Sequence, residues 1–231
     1  MVLTVPGSVA ADTGMDVLTH ATEAYVSQMA SDFTDGLALQ AIKLVFENLE
    51  SSVKNADFHS REKMHNASTI AGMAFANAFL GISHSMAHKI GAQFHTIHGR
   101  TNAILLPYVI RYNGTRPAKT ATWPKYNYYR ADEKYQDIAR MLGLPASTPE
   151  EGVASFAKAV YELGERVGIE MNFKAQGVDE KEWKEHSREL AFLAYEDQCS
   201  PANPRLPMVD HMQEIIEDAY YGYKERPGRL K

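Results

Sequence analysis

Cysteine is almost missing from this chain, with one residue, Cys199, among 231. A disulfide framework needs pairs and a sulfur-held zinc cluster needs several thiolates, so both are excluded, and a reducing cytoplasm suits the composition. Long apolar runs are also missing. The longest, Ile70 to Ile82, is short for a bilayer span and contains Asn77. No basic region precedes an apolar stretch at the N-terminus, so neither a targeting nor an anchoring segment is expected. Basic residues form no stripe. The net charge is -5 and Lys and Arg are scattered, which favours neither nucleic acid nor an anionic membrane as partner. Strand signals are scarce, with one short candidate at Val2 to Val5 and no internal repeat. Ahead of Asp16 there is no strand, Gly-rich turn and helix of the kind that receives a pyrophosphate. A nucleotide-binding α/β domain is therefore expected to be absent from this chain.

What the chain has in quantity is helical periodicity. With 45% apolar and 23% charged residues, 231 residues can bury one large core or two small ones. Ala38, Ala41, Ile42, Val45, Leu49 and Val53 follow the spacing of one helix face, while Lys43, Glu47 and Glu50 fall elsewhere. Thr148-Pro149-Glu150-Glu151 and Asp179 with Glu182 are reciprocal capping signals, predicting helices over roughly 149 to 167 and 179 to 196. The Ala- and Gly-rich stretch 62 to 79 predicts a buried central helix ending near Gly81. The fold class expected is all-α, a single helical domain over residues 1–231. Residues 114–130, GTRPAKTATWPKYNYYR, break the period and read as an irregular insertion. They would form a surface arm, an oligomer contact or a loop folded back on its own core.

The remaining concentration is histidine. Of nine in the chain, four (His84, His88, His95 and His98) lie in fifteen residues, where even scatter would place about 0.6. His84 and His88 share a helix face, and His84 and His98 can converge if the chain turns at Gly91 to Gly99. With one cysteine available, any metal here must be held by His and carboxylate. Asp16 and His20 in TGMDVLTHATEAY are also four apart. Alone they read as a helix-surface contact, but with His84 and His98 they would make an O,N,N,N set that suits Fe(II) or Zn(II). His88 is then left beside the site and His95 is a substitute ligand or its support. His59, His65, His186 and His211 read as solvent-exposed. Three histidines would equally describe a hydrolytic zinc site.

TGMDVLTHATEAYVS, GISHSMAHKIGAQFHTIHGRTNAILLPYVIRYN and EDQCSPANPR, in this order, resemble the C-terminal helical domain of the iron-containing, group III alcohol dehydrogenases. That domain is of the dehydroquinate-synthase-like multi-helix class. The insertion resembles that of the alcohol dehydrogenase half of bifunctional aldehyde-alcohol dehydrogenases, which reduce acetyl-CoA through acetaldehyde to ethanol. The resemblance implies Asp16, His20, His84 and His98 as ligands of Fe(2+), with Zn(2+) as the alternative. It places His88 beside the nicotinamide of NAD(H) and the substrate, where an imidazole can relay a proton. It places Phe75, Leu80 and Cys199 near the substrate channel. Where the family commonly has Pro before the last ligand, this chain has Ile97. The partners implied are a small aldehyde or alcohol, a nucleotide-binding domain missing from this chain, and further copies in a homo-oligomer or filament. A catalytically silent assembly module and a metal-dependent hydrolase are the alternative readings.

Overall fold

The structure is a computed structural model that describes residues 2–117 and 129–222. The described residues form nine α-helices and two 3-10 turns with no strand. In chain order the helices are α1 (Gly7–Val26), α2 (Asp32–Lys54), α3 (Phe58–Ala78), α4 (Ile82–Phe94), α5 (His98–Gly114), α6 (Ala131–Met141), α7 (Pro149–Arg166), α8 (Glu180–Tyr195) and α9 (Val209–Tyr221). Most of the 114–130 stretch lies outside the described residues. Among them no single helix is long and apolar enough to cross a membrane.

Local chemistry sets the helix ends. Ser31 accepts the Thr34 N–H, and Thr34 reciprocates through the Ser31 N–H, so α2 begins with a capping box. Thr148 caps α7 by accepting the Glu151 N–H. The Glu151 carboxylate accepts from Ser147 rather than from the cap residue, so the reciprocal half of that signal falls one residue early. Asp179 caps α8 through the N–H groups of Lys181 and Glu182. Val2 to Val5 does not form a strand. Val2–Thr4 is a 3-10 turn, where Arg61 donates to the Val2 carbonyl.

The apolar residues form two cores. One gathers side chains of α1, α2, α3, α6 and α7; the other gathers those of α4, α8 and α9. Helix α5 divides them. Ala103, Leu106 and Ile110 face the first core, and Ile104, Leu105, Tyr108 and Val109 face the second. A helix apolar on every side has no solvent face to offer, so it must be interior. The buried central helices are α1 and α5. The expectation that α3 is central is corrected: Ala67, Ala71, Ala74 and Ala78 bury one stripe against α1 and α2, while His65, Asn66, Thr69, Met73 and Asn77 are exposed. Small side chains at that spacing permit close helix approach on one side and say nothing about the other.

Candidate metal centre

Three helices bring the histidines together. Asp16, His20 and Glu23 recur at four and three residues along α1 and share one face. His84 and His88 project from the first two turns of α4, and His98 opens α5. His95 ends α4 in a left-handed conformation (φ 54°). It lines a neighbouring cavity of about 440 Å³ with Phe94, Thr96 and Arg100, and does not join the ligand group.

Asp16 is the hub. Its Oδ1 lies 3.7 Å from His84 Nε2 and 3.6 Å from His98 Nε2, and its Oδ2 lies 3.9 Å from His20 Nδ1. Donor atoms of Asp16, His20 and His84 fall within 4.8 Å of one another. Ligand atoms about 2.1 Å from a tetrahedral metal stand about 3.4 Å apart, a few tenths closer than these. His98 reaches the group through Asp16. Its side chain is 44% exposed, and its Nε2 also lies 3.2 Å from Asn102 Nδ2. Asn102 donates to Asp16 Oδ1 at 2.9 Å, so one amide ties α5 to the hub.

His84 decides what the group can do. It is 1% exposed, its Nδ1 is 2.6 Å from the buried Glu23 carboxylate, and its Nε2 has no hydrogen-bond partner. A buried polar atom without a partner is costly, and this one faces the Asp16 carboxylate. Glu23 is itself fixed by the Ser83 N–H at 2.7 Å. Gly81 leaves room for that approach, since a Cβ there would stand 2.8 Å from Asn203 Oδ1 and 3.0 Å from Glu23 Oε1. The pattern of a carboxylate holding one imidazole nitrogen so that the other is free is how metal-binding histidines are oriented. The residues present therefore fit a divalent transition metal.

The ring environment keeps two imidazoles neutral. His20 is stacked between Phe75 and His84, each at 4.5 Å between centroids. Burial, reinforced by His84 and opposed by Asp16, lowers its pKa to about 4. Burial also lowers that of His98, against the pull of Asp16. Neutral imidazole is the ligating form. His88 stacks on His98 at 5.6 Å and stands apart from the ligand donors, its Nδ1 turned to Asp197 at 3.1 Å. Phe75 thus lies against the group and Leu80 is half-buried. Cys199 is buried beside Asp197, its thiol pushed up to about 12 by burial and that carboxylate.

Outside the group, His59 and His65 are exposed. His186 and His211 are half-buried and engaged. His186 Nδ1 meets the Glu182 carbonyl, and His211 Nδ1 meets Tyr112 Oη. The residues that sequence reasoning missed are Glu23, Asn102 and Asp197. Glu23 carried a usable signal, lying seven residues after Asp16 on the His20 face. Asp197 lies far along the chain and carried none.

All-helical packing brings one carboxylate and three imidazoles together between α1, α4 and α5, a donor set of the kind that suits a transition metal. Comparison with known proteins gives the lineage. Residues 10–220 match the Fe-containing alcohol dehydrogenase family, C-terminal, and the chain belongs to that family. It is 95% identical over all 231 residues to 26% of the aldehyde-alcohol dehydrogenase of Streptococcus pneumoniae serotype 2. Over 227 residues, 96% of the chain, it is 42% identical to 26% of the bifunctional aldehyde-alcohol dehydrogenase of Escherichia coli K12. An iron-containing alcohol dehydrogenase of Thermococcus thioreducens superposes with a TM-score of 0.82 at 35% identity, covering 95% of this chain and 52% of that one. The chain spans about a quarter of the length of the first two relatives.

Proposed function

We propose that this chain is the metal-binding part of an NADH-dependent alcohol dehydrogenase interconverting acetaldehyde, or another small aldehyde, with its alcohol. The observation that carries the reading is the unpartnered, buried His84 Nε2 facing Asp16 with Glu23 behind it. Asp16, His20, His84 and His98 would hold Fe(II), with Zn(II) as the alternative. When bound there, the metal supplies Lewis acidity toward the aldehyde oxygen, and NAD(H), held mainly by a nucleotide-binding half, supplies or takes the hydride.

The chain's own residues do the placing. Glu23 sets the His84 tautomer, Asn102 sets the Asp16 carboxylate, and Phe75 covers the His20 ring and excludes water from that side. His88, adjacent to the donors and outside them, is the group for proton handling and contact with nicotinamide and substrate. Leu80 and Cys199 would border the substrate. The names of the relatives support the substrate class. Assembly of the longer protein into a homo-oligomer or filament, and its residence in the cytoplasm, belong to the same reading.

Anaerobic titration with Fe(II), read by metal analysis after gel filtration, tests it. The chain should bind one equivalent. His84→Ala and His98→Ala should lose it, and Glu23→Gln should weaken it about 10- to 100-fold while leaving the ligands in place. Undiminished binding by His84→Ala would overturn the assignment.

A further inference from the structure

Asp197 follows α8 and is remote in sequence from every histidine of the centre, yet its buried carboxylate gathers three donors. Oδ2 lies 3.1 Å from His88 Nδ1 and 2.9 Å from Lys89 Nζ, and Oδ1 accepts the Cys199 N–H at 3.0 Å. His88, Asp197 and Cys199 are also spaced closely enough to hold a metal ion. Two features weigh against that use. The Lys89 ammonium already supplies a cation to the carboxylate, and the Cys199 thiol, pushed up to about 12, is not a ready thiolate. The cluster serves the imidazole instead.

A carboxylate only accepts, so the nitrogen of His88 that meets Asp197 must carry the proton. In the neutral ring the other nitrogen, Nε2, is then an acceptor. Among the described residues Nε2 has no partner, while the ring stacks on His98 and meets the His84 ring in a T-shaped contact at 6.2 Å between centroids. We propose that Asp197 is a positioning residue that locks His88 in the Nδ1–H tautomer, so that Nε2 faces the centre as a hydrogen-bond acceptor for the hydroxyl of an alcohol. A histidine ring free in water favours the opposite, Nε2–H tautomer, so the carboxylate must impose this one. Lys89 balances the carboxylate charge, which lets Asp197 stay buried without a net charge against the centre. The role toward alcohol rests on the reading of the centre given above. The tautomer itself does not.

Two measurements separate the two. The first is long-range ¹H–¹⁵N NMR of the metal-free chain at pH 8, with His88 assigned by its loss in His88→Gln. It should show the Nδ1–H tautomer in the wild type. Asp197→Asn, which keeps an acceptor oxygen, should retain that tautomer, and Asp197→Ala should shift the ring to Nε2–H. An Nε2–H ring or an imidazolium in the wild type overturns the positioning role, whether or not Asp197→Ala folds. The second measurement is steady-state ethanol oxidation by the iron-loaded longer protein. Asp197→Ala should lower kcat at least tenfold at unchanged iron content, with Asp197→Asn recovering most of it. Unchanged kcat with a shifted tautomer would overturn the use of Nε2 toward alcohol and leave the tautomer lock standing. Lost iron would make Asp197 a support of the metal and overturn its separate role.

Discussion

His20 illustrates how much a single side chain is shaped by its setting. Its sequence neighbours suggest an ordinary helix-surface pair with Asp16, four residues away. In the fold, Phe75 covers one face of the ring and His84 the other, and the pKa falls to about 4, chiefly through burial. The folded, metal-free chain therefore keeps His20 neutral where the unfolded chain, with its ordinary value of 6.5, has begun to protonate it. Between those values the unfolded state binds more protons. The stability linked to His20 is thus fully present above pH 6.5 and is lost as pH falls to about 4. At roughly 1.4 kcal/mol per pKa unit the whole effect is at most about 3.5 kcal/mol, and solvent reaching the ring reduces it. Urea unfolding of the metal-free chain at pH 7 and pH 5 should show the decline, and His20→Asn should flatten it. An unchanged pH slope in the variant would remove His20 as its source.

At the scale of elements, α5 does the most. It separates two cores along its length and delivers His98 at its first residue, so its position against α1 sets the width of the centre. Gly99 makes that position possible: a Cβ there would stand 2.2 Å from the Asp12 carbonyl oxygen, which is backbone and cannot swing away. Beside it, Arg100 donates through Nε and Nη2 to both carboxylate oxygens of Asp12, a forked pair that fixes the angle between the helices. Gly99→Ala should force α5 outward. It should destabilise the chain by about 1–3 kcal/mol, as overpacking does, and weaken metal binding together with stability, measured by denaturation and metal titration. The residue before His98 behaves differently. Ile97 departs from the family's usual proline, yet its φ of -66° is the angle a proline ring would fix. Ile97→Pro should therefore be tolerated, raising stability by about 0.4–1 kcal/mol through the unfolded chain. A loss larger than 1 kcal/mol would show that the turn needs the Ile97 N–H.

Over the described residues, the centre draws on elements of both cores: α1 from the first, α4 from the second and α5 from both. A metal joining them binds the folded chain and not the unfolded one, so it stabilises by linkage. At a hundredfold excess over its Kd, Fe(II) should add about 2.7 kcal/mol, less whatever the unfolded histidines bind. Thermal melts under anaerobic conditions should rise with Fe(II) and return with a chelator. The same experiment with His84→Ala should give no shift. A chelator-insensitive shift would place the stabilising ion elsewhere.

Helix content was legible in the sequence because it depends on nearby residues: the apolar stripe of α2 and the caps at Thr148 and Asp179 each act within a few positions. That Asp16, His20, His84 and His98 could converge was also legible, because four histidines crowd residues 84 to 98 and Asp16 and His20 share a helix face. Which helix is interior was not legible. Alanine spacing in α3 and in α1 looks alike, and only the partners packed around each decide which is covered on every side. Nor were Glu23, Asn102 and Asp197 legible as parts of the centre. Their work is to aim an imidazole or a carboxylate held on another helix. That depends on hydrogen-bond direction over about three ångströms, between residues up to 109 positions apart, as in His88 and Asp197. Residue type and spacing along the chain carry the donors' chemistry; the direction in which each donor points exists only once the helices have packed.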